Sequence, residues 1–188
     1  MEQAKKDKDQ LWEWGKALFI AIAVAGIVRF FLFAPIVVDG ESMNPTLKNG
    51  NRMLVNKIGY TIGKPDRYDI VVFHTTEGKD YIKRVIGVPG DHIAYENDQL
   101  YINGKAQDEP YLSSIKKQQS FVGGTLTEDF TLEQLTEMEV IPEGYVFVLG
   151  DNRRKSTDGR IFGLVPLDEI IGSTNYVFWP LKEMGSVE

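Results

Sequence analysis

A long apolar run near the start of the chain is the feature that most constrains its fold. The run covers residues 17–38, and Arg29 is its one charged residue. A helix rises about 1.5 Å per residue, so about 20 apolar residues cross the hydrocarbon core of a bilayer. Trp12 and Trp14 precede the run, where an interfacial aromatic belt would lie. We therefore predict a single transmembrane helix over this run, in contact with a lipid bilayer.

The predicted helix divides the chain into a short N-terminal segment, 1–16, and a domain of common size, 39–188. Basic residues near a membrane span favour the cytoplasmic side. Four lysines precede the helix and three basic residues follow it closely, namely Lys5, Lys6, Lys8 and Lys16 before it and Lys48, Arg52 and Lys57 after it. This small excess predicts a single-pass protein of the cell membrane, with a cytoplasmic N-terminus and an extracytoplasmic domain.

A cleavable signal peptide is the alternative interpretation of the same run. Ala23, Val24 and Ala25 form a small-x-small site behind a short apolar segment and a lysine-bearing start. The apolar residues continue beyond this site through Phe33, however, which favours a retained anchor over a cleaved one.

Short strands dominate the sequence after residue 50. The predicted segments are rich in β-branched and aromatic residues and are bounded by Gly, Pro or Asp. They are Arg52–Lys57, Asp69–His74, Asp80–Gly87, Ala94–Glu96, Gln99–Ile102, Tyr145–Leu149 and Tyr176–Trp179. Asn97 and Asp98 predict a tight hairpin turn between the fourth and fifth of these strands. We therefore predict a mostly β domain after the N-terminal transmembrane helix.

One segment of this domain differs from the rest. Residues 108–139 are polar and show little strand periodicity, and strands resume after Pro142. We interpret the segment as a small polar insertion in the β-rich domain. Within it, Thr131–Met138 predicts a short helix, with Thr131 as the N-cap and Gln134 as its capping-box partner.

The composition excludes several classes of function. The net charge is −6 and no strongly basic region stands out, which argues against binding of nucleic acid. The chain has no cysteine, so disulfides, thiolate metal sites and cysteine nucleophiles are excluded. Its two histidines, His74 and His92, lack metal-ligand spacing, and we assign both a surface or structural role. We expect neither a metal nor a cofactor.

An exposed serine is predicted directly after the apolar run. Ser42 lies between Gly40 and Pro45, two residues that favour a bent backbone and disfavour a helix. A bent and exposed serine can act as a nucleophile, although the same residue types also form ordinary turns. Ser42 is therefore a candidate nucleophile if the chain supplies a base.

Lys83 is a candidate for that base. In an alternating strand it shares one face with Tyr81 and Val85, among otherwise bulky residues. Burial lowers a lysine pKa from about 10.4 by up to roughly 3–5 units, which would make the amine a usable base near neutral pH. The alternative is a solvated lysine at the edge of a sheet.

A third polar cluster occupies residues 150–160, which we call the closing loop. Ser156 in this loop carries a hydroxyl that could orient a neighbouring amine. The alternative interpretation is a charged surface loop held by an ion pair between its own residues. The two candidate pairs are Asp158 with Arg160 and Asp151 with Arg153.

Three motifs, in this order, resemble those of type I signal peptidases, and of the Gram-positive form in particular. Residues 40–47 (GESMNPTL) are similar to the nucleophile box of that family, residues 81–91 (YIKRVIGVPGD) to its lysine box and the closing loop (GDNRRKSTDGR) to its closing box. The resemblance extends from the apolar run to about Pro180, and the three motifs together are highly specific.

The resemblance implies a membrane-bound serine endopeptidase that removes signal peptides from secretory preproteins after small residues, as at Ala-x-Ala sites. Carried over by position, Ser42 is the nucleophile and Lys83 the general base of a Ser/Lys dyad that acts through an acyl-enzyme. The other matched positions fall into a supporting set and a substrate-binding set, which are Ser156, Asp158 and Arg160, and Val38, Met43, Tyr81 and Ile82.

The chain departs from the family pattern at two positions. Gly40 stands where some members carry a side-chain oxyanion donor, so the oxyanion would depend mainly on the backbone N–H of Ser42. Gly159 stands where the family more often has serine.

Two other classes of protein stay open. One is a self-cleaving Ser/Lys repressor domain, which the predicted membrane span contradicts. The other is a catalytically silent, membrane-tethered protein of the same fold.

Overall fold

The structure is a computed structural model that describes residues 12–24, 26, 33–57 and 63–187. Residues 12–24 are helical and form α1, and residue 26 is helical as well. Within the described ranges, no helix is both long enough and apolar enough to cross a membrane. The predicted transmembrane helix falls partly outside these ranges, at 25 and 27–32, as do the lysines before Lys16 that set the predicted orientation.

The end of the predicted membrane helix is a strand instead. Phe33–Val37 (β1) pairs antiparallel with Arg52–Asn56 (β2) along its whole length. Pro35 within β1 lacks the N–H that a helix interior needs, whereas a strand next to only one neighbour tolerates it. The prediction of a helix that continues to Val38 is therefore wrong over these residues, and the β1–β2 pairing leads the chain directly into the Ser42 segment.

The described residues after β2 form short strands, three short α-helices and three single-turn 3-10 helices, the last at Pro110–Leu112, Leu167–Glu169 and Leu181–Glu183. The strands are β3 (Ile70–His74), β4 (Asp80–Gly87), β5 (Ile93–Glu96), β6 (Gln99–Ile102), β7 (Lys105–Gln107), β8 (Phe130–Thr131), β9 (Tyr145–Leu149), β10 (Val165–Pro166), β11 (Ile170–Ser173), β12 (Tyr176–Trp179) and β13 (Gly185–Ser186). The helices are α2 (Ser113–Val122), α3 (Leu132–Thr136) and α4 (Gly159–Phe162). The predicted mostly β character is confirmed.

Two antiparallel sheets make up the domain. The larger sheet has the strand order β10-β9-β4-β3-β11-β2-β12-β13, with β1 added beside β2. The smaller sheet has the order β7-β6-β5-β8. Strand β4 lies inside the larger sheet, between β3 and β9, and its residues from Lys83 to Gly87 are buried. This central position explains why β4 can hold a lysine away from water.

The predicted hairpin and capping box are both present. Strands β5 and β6 pair around Asn97 and Asp98, which both adopt the positive φ that a tight two-residue turn requires. In α3, the Gln134 backbone N–H donates to Thr131 Oγ1 at 3.2 Å, and the Thr131 N–H donates to Gln134 Oε1 at 2.9 Å. The helix ends at Thr136, before the predicted Met138, because Glu137 adopts a left-handed conformation.

The predicted polar insertion contributes to the smaller sheet. It contains α2, β8 and α3, and β8 pairs with β5. We call the smaller sheet with these elements, residues 93–136, the small lobe. Ile86 and Phe147 of the larger sheet pack with Tyr95, Leu100 and Phe130 of the small lobe in one buried cluster. Burying such a side chain contributes roughly 1.5–3 kcal/mol, so this cluster is what joins the two sheets.

Candidate active site

Ser42 lies in a turn that the closing loop holds in place. The turn covers residues 42–46, and Met43 beneath it is buried. The Asn152 backbone N–H donates to the Ser42 carbonyl at 3.0 Å, and the Asn152 side-chain amide donates to the Glu41 carbonyl at 3.0 Å. These two hydrogen bonds hold the backbone at Glu41 and Ser42. Ser42 itself is half-buried and lines a cleft, so solvent can reach the residue.

Lys83 lies on β4, and its amine contacts the Ser42 hydroxyl. Nζ donates to Ser42 Oγ at 2.8 Å and to the Ile82 carbonyl at 3.0 Å. The residue is only 3% exposed, which confirms its predicted burial and excludes the solvated edge lysine. Burial lowers the pKa of Lys83 from its usual 10.5 to about 8, against the opposing effect of the Asp158 and Asp151 carboxylates.

A buried amine at this distance from a hydroxyl has the geometry of a general base and a nucleophile. A general base must lie within about 2.6–3.2 Å of the group whose proton it takes. With a pKa of about 8, a substantial fraction of Lys83 is neutral in weakly alkaline solution and can accept the Ser42 proton. His74 is exposed and contacts Asp80 at 2.7 Å, so it lies outside this arrangement.

Arg84, the residue after Lys83, forms a buried ion pair with the closing loop. Its Nε and Nη2 contact Asp151 Oδ1 and Oδ2 at 2.9 and 2.8 Å. Both side chains are at most 1% exposed. Thr46 Oγ1 donates to the same carboxylate, so one aspartate joins β4, the closing loop and the Ser42 turn. The alternative pairing of Asp151 with Arg153 is wrong, because Asp151 pairs with Arg84 and Arg153 pairs with Glu109.

The predicted pair of Asp158 with Arg160 is formed. Arg160 Nε and Nη2 contact the two Asp158 oxygens, each at 2.8 Å. Asp158 is fully buried, caps the N-terminus of α4 and accepts the Gly150 backbone N–H at 2.9 Å. The pair therefore closes the loop on itself between Gly150 and α4. The supporting role that the family resemblance implies for Asp158 and Arg160 stays a prediction.

Ser156 makes no hydrogen bond to Lys83 in the structure. Its Oγ is buried and has no hydrogen-bond partner among the described residues. The hydroxyl lies beside Gly150, where an added Cβ would come within 2.1 Å of it. The predicted hydrogen bond between Ser156 and Lys83 is therefore not formed. Ser156 lies next to Gly150, and Gly150 packs against the Ser42 carbonyl.

A cleft of about 480 Å³ contains the Ser42 and Lys83 side chains. Its lining includes all four residues assigned to substrate pockets, which are Val38, Met43, Tyr81 and Ile82. Val38 and Met43 are buried, whereas Tyr81 and Ile82 are half-buried. The structure thus brings together in one depression the apolar side chains and the Ser/Lys pair that are separated in the sequence.

The two glycine departures have different surroundings. Gly40 adopts φ +98° with open space where a Cβ would lie. Gly159 is buried, and an added Cβ would lie 2.7 Å from both the Phe147 ring and the Val148 carbonyl oxygen. Backbone conformation therefore favours glycine at position 40, and the close approach of β9 favours it at position 159.

Sequence reasoning missed the long-range polar contacts of the site. Arg84 and Asp151 were not assigned to each other, and neither Thr46 nor Asn152 was singled out. One signal was available, because an arginine inside an apolar strand has to be paired with a carboxylate when buried. The sequence does not indicate which of the many carboxylates is the partner.

Comparison with known proteins identifies the family. A family model described as signal peptidase, peptidase S26, matches residues 11–179. The chain is 48% identical over 183 residues to a signal peptidase I of Bacillus caldolyticus, with 97% of each chain covered. It is 46% identical over 178 residues to a signal peptidase IB of Staphylococcus aureus, with 94% of this chain and 93% of the relative covered.

A solved structure agrees with these relatives. The crystal structure of a signal peptidase I from Enterococcus faecalis V583 superposes with a TM-score of 0.56 at 44% sequence identity. The match covers 60% of this chain and 97% of that one. The β-rich fold with a cleft and the sequence relatives thus define one class, the S26 peptidases.

The chain therefore belongs to the signal peptidase family, peptidase S26, and is an enzyme of the signal peptidase I type. The resemblance drawn from the three motifs is confirmed. A self-cleaving repressor domain is excluded by the same comparisons, because the family match spans nearly the whole chain.

Proposed function

We propose that this enzyme removes N-terminal signal peptides from secreted preproteins by a Ser/Lys dyad of Ser42 and Lys83. The observation that carries the proposal is the 2.8 Å contact of the buried Lys83 amine with the Ser42 hydroxyl. The comparisons support it because the relatives are named signal peptidases. A catalytically silent relative would not need to keep a buried lysine at this distance from an accessible serine.

The dyad acts in two steps. Neutral Lys83 accepts the Ser42 proton while Ser42 Oγ attacks the scissile carbonyl carbon, and the backbone N–H of Ser42 stabilises the oxyanion. The leaving amine takes a proton from the lysine ammonium, which leaves an acyl-enzyme. Lys83, neutral again, then takes a proton from a water molecule that attacks the ester carbonyl carbon. The bond from that carbon to Ser42 Oγ breaks, the lysine ammonium returns the proton to Ser42 Oγ, and the signal peptide leaves with a new carboxyl terminus.

The cleft supports selection of small residues beside the scissile bond. Pairing of β4 with β9 begins only at Arg84, so residues 80–83 have no strand partner on the β9 side among the described residues. An extended substrate can add there as a strand, with main-chain hydrogen bonds for affinity. Val38 and Met43 are buried in the wall of the cleft, and we expect them to limit the room beside Ser42 so that alanine is favoured over larger side chains.

A membrane location fits the same activity. Leu18, Phe19 and Ile22 on α1 are more than half exposed. An apolar surface of this kind needs a lipid or protein partner to cover it. We propose that the apolar run before β1 is a single membrane anchor with a cytoplasmic N-terminus, which would place the 39–188 domain outside, where preproteins emerge. The strand at β1 shortens the helical part of this anchor and sets Ser42 close to its end.

The test is cleavage of a preprotein whose signal peptide ends in Ala-x-Ala, with the full chain in detergent or lipid. Mass spectrometry of the products identifies the bond that is cut. We expect cleavage after the last alanine by the wild type, loss of cleavage in Ser42→Ala, and resistance of a substrate with a bulky residue in place of that alanine. Cleavage by Ser42→Ala at the wild-type rate would refute the assignment of the nucleophile.

The rate is expected to depend on pH through Lys83. Only the neutral amine accepts a proton, and the pKa of Lys83 is lowered to about 8, so kcat/KM should rise with pH in a limb with its midpoint near 8. Initial rates of preprotein cleavage between pH 6 and pH 10 measure this limb. A midpoint below pH 7 would indicate a different base.

Replacing Gly150 by alanine is expected to lower kcat by about 10²-fold. The added Cβ would lie 2.5 Å from the Ser42 carbonyl oxygen and 2.1 Å from Ser156 Oγ, so the Ser42 turn has to move. Cleavage kinetics of Gly150→Ala measure the effect. Gly185→Ala is the matched control, since nothing lies within 4 Å of the Cβ it adds. Equal rates for the two variants would contradict this account.

Restoring a hydroxyl at position 40 is expected to harm the enzyme. Serine at φ +98° is strained by about 1–2 kcal/mol, so Gly40→Ser should unfold at lower urea concentration. The Gly40 N–H also donates to Asn49 Oδ1 at 3.0 Å, and a shift there displaces the residues before Ser42. Urea titration and cleavage rates check both effects. A Gly40→Ser variant that is faster than the wild type would show that the hydroxyl reaches the oxyanion.

A further inference from the structure

A second buried ion pair connects the small lobe with the closing loop. Arg153 Nη2 in the loop contacts Glu109 Oε1 of the small lobe at 2.6 Å. Both side chains are fully buried. The two residues are 44 positions apart in the sequence, so the contact exists only because the small lobe packs on the loop.

The small lobe surrounds this pair with further polar groups. Around Glu109 and Arg153 lie the hydroxyls of three residues and one partly exposed amine, which belong to Tyr95, Tyr111, Thr127 and Lys116. Burial opposes ionisation of Glu109, but the Arg153 guanidinium, the hydrogen bond from Tyr95 and the charge of Lys116 keep the pKa of Glu109 below its usual value. Glu109 is therefore a carboxylate that the lobe holds in a fixed position.

Arg153 links Glu109 to other residues of the closing loop. Its Nε donates to the Gly150 carbonyl at 3.1 Å. Its own carbonyl accepts from Arg160 Nη2 at 2.7 Å, and Arg160 holds Asp158. Gly150 lies against the Ser42 carbonyl. A displacement of Arg153 would therefore move Gly150, and Gly150 would in turn move the Ser42 turn.

A neighbouring contact also attaches the closing loop to the small lobe. Arg154 Nη2 donates to the Thr125 carbonyl of the small lobe at 2.9 Å. The segment around Thr125 is itself held, because the Leu126 and Thr127 backbone N–H groups both donate to the Asp98 carboxylate. Two successive arginines of the closing loop are thus attached to the small lobe.

We propose that Glu109 is a positioning residue for the dyad, and that the small lobe orients the closing loop through the Glu109–Arg153 pair. The inference rests on the proposed function, because it concerns the efficiency of that same site. The proposal assigns a role in catalysis to the segment predicted as a polar insertion, residues 108–139. Glu109 touches neither Ser42 nor Lys83, so its effect on the reaction is carried by Arg153, Gly150 and the Arg160–Asp158 pair.

The test compares Glu109→Gln and Glu109→Asp with Lys116→Gln in the full chain. Lys116 is partly exposed and donates to Glu109 at 3.2 Å and to the Asp98 carbonyl, and none of its hydrogen bonds to described residues reaches the closing loop. Lys116→Gln is therefore the matched control, because it removes a charge beside Glu109 without breaking the link from Glu109 to Arg153. We expect Glu109→Gln to lower kcat for the Ala-x-Ala preprotein at least about tenfold with KM changed less than about twofold. Glu109→Asp keeps the charge and should recover part of kcat, while Lys116→Gln should match the wild type.

A second readout does not require activity. Hydrogen–deuterium exchange of the closing-loop amides should be faster in the Glu109 variants, while exchange in β3 stays as in the wild type. Wild-type kcat together with wild-type loop exchange in Glu109→Gln would overturn the proposal. If Glu109→Gln does not fold, Glu109→Asp decides instead, because its shorter side chain should still lower kcat and speed loop exchange relative to the wild type. If the wild type cuts no preprotein, the proposed function fails, and loop exchange still decides whether Glu109 orients the loop.

Discussion

Replacing Lys83 by methionine is expected to lower kcat for preprotein cleavage by about 10²- to 10⁴-fold, the contribution of a positioned general base. Methionine has a similar length and fills the buried space at β4 without an amine. The Ser42 hydroxyl then loses its partner at 2.8 Å, and no other described side chain is hydrogen-bonded to it. Single-turnover cleavage of an Ala-x-Ala preprotein measures the loss.

Lys155→Met is the matched control for this experiment. Lys155 lines the same cleft, but its side chain is 71% exposed and pairs only loosely with Glu41 at 3.4 Å. We expect its kcat to stay within about threefold of the wild type, since an exposed pair contributes under about 1 kcal/mol. Equal losses in Lys83→Met and Lys155→Met would mean that the cleft needs positive charge and not a base.

The inactive Lys83→Met variant is expected to be more stable than the wild type at pH 7. A pKa lowered from 10.5 to about 8 corresponds to about 3 kcal/mol of destabilisation while the amine is protonated. The unfolded chain binds more protons than the folded one between these two pH values, so wild-type stability rises with pH across this window. The advantage of the variant is therefore full below pH 8 and disappears as the pH approaches 10.5. Thermal melts at several pH values measure it.

Replacing Arg84 by methionine is expected to lower the free energy of unfolding by about 3–5 kcal/mol, because it leaves Asp151 buried and unpaired. Arg84 and Asp151 are at most 1% exposed and share two hydrogen bonds. The same carboxylate holds Thr46 of the Ser42 turn, so cleavage should fall as well. Chemical denaturation of the full chain in detergent measures the stability.

The control for the Arg84→Met prediction is Lys64→Met. Lys64 pairs with Glu143 at 3.1 Å, but both side chains are more than two-thirds exposed. Its removal should change the free energy of unfolding by less than about 1 kcal/mol. A similar small change in Arg84→Met would show that water reaches Asp151 and that the pair does not fix the closing loop.

Much of the fold could be predicted because its signals are local. The strands are short runs of β-branched and aromatic residues, and the Asn97–Asp98 turn and the Thr131 capping box depend on residues within four positions of each other. The end of the apolar run was mispredicted for the opposite reason. Its residues are apolar enough for a helix, and only pairing with β2, across the Ser42 turn, makes β1 a strand.

The sequence by itself determined the mostly β class, the family and the candidate pair of Ser42 and Lys83, since these depend on residue type and short spacing. Only the tertiary structure decided that the two side chains meet at 2.8 Å, and that Arg84 belongs to Asp151 and Glu109 to Arg153. Those partners are 41, 67 and 44 positions apart. Such contacts form only when the sheets pack and exclude water. The residues next to a buried charge in the sequence do not indicate which distant charge will pair with it.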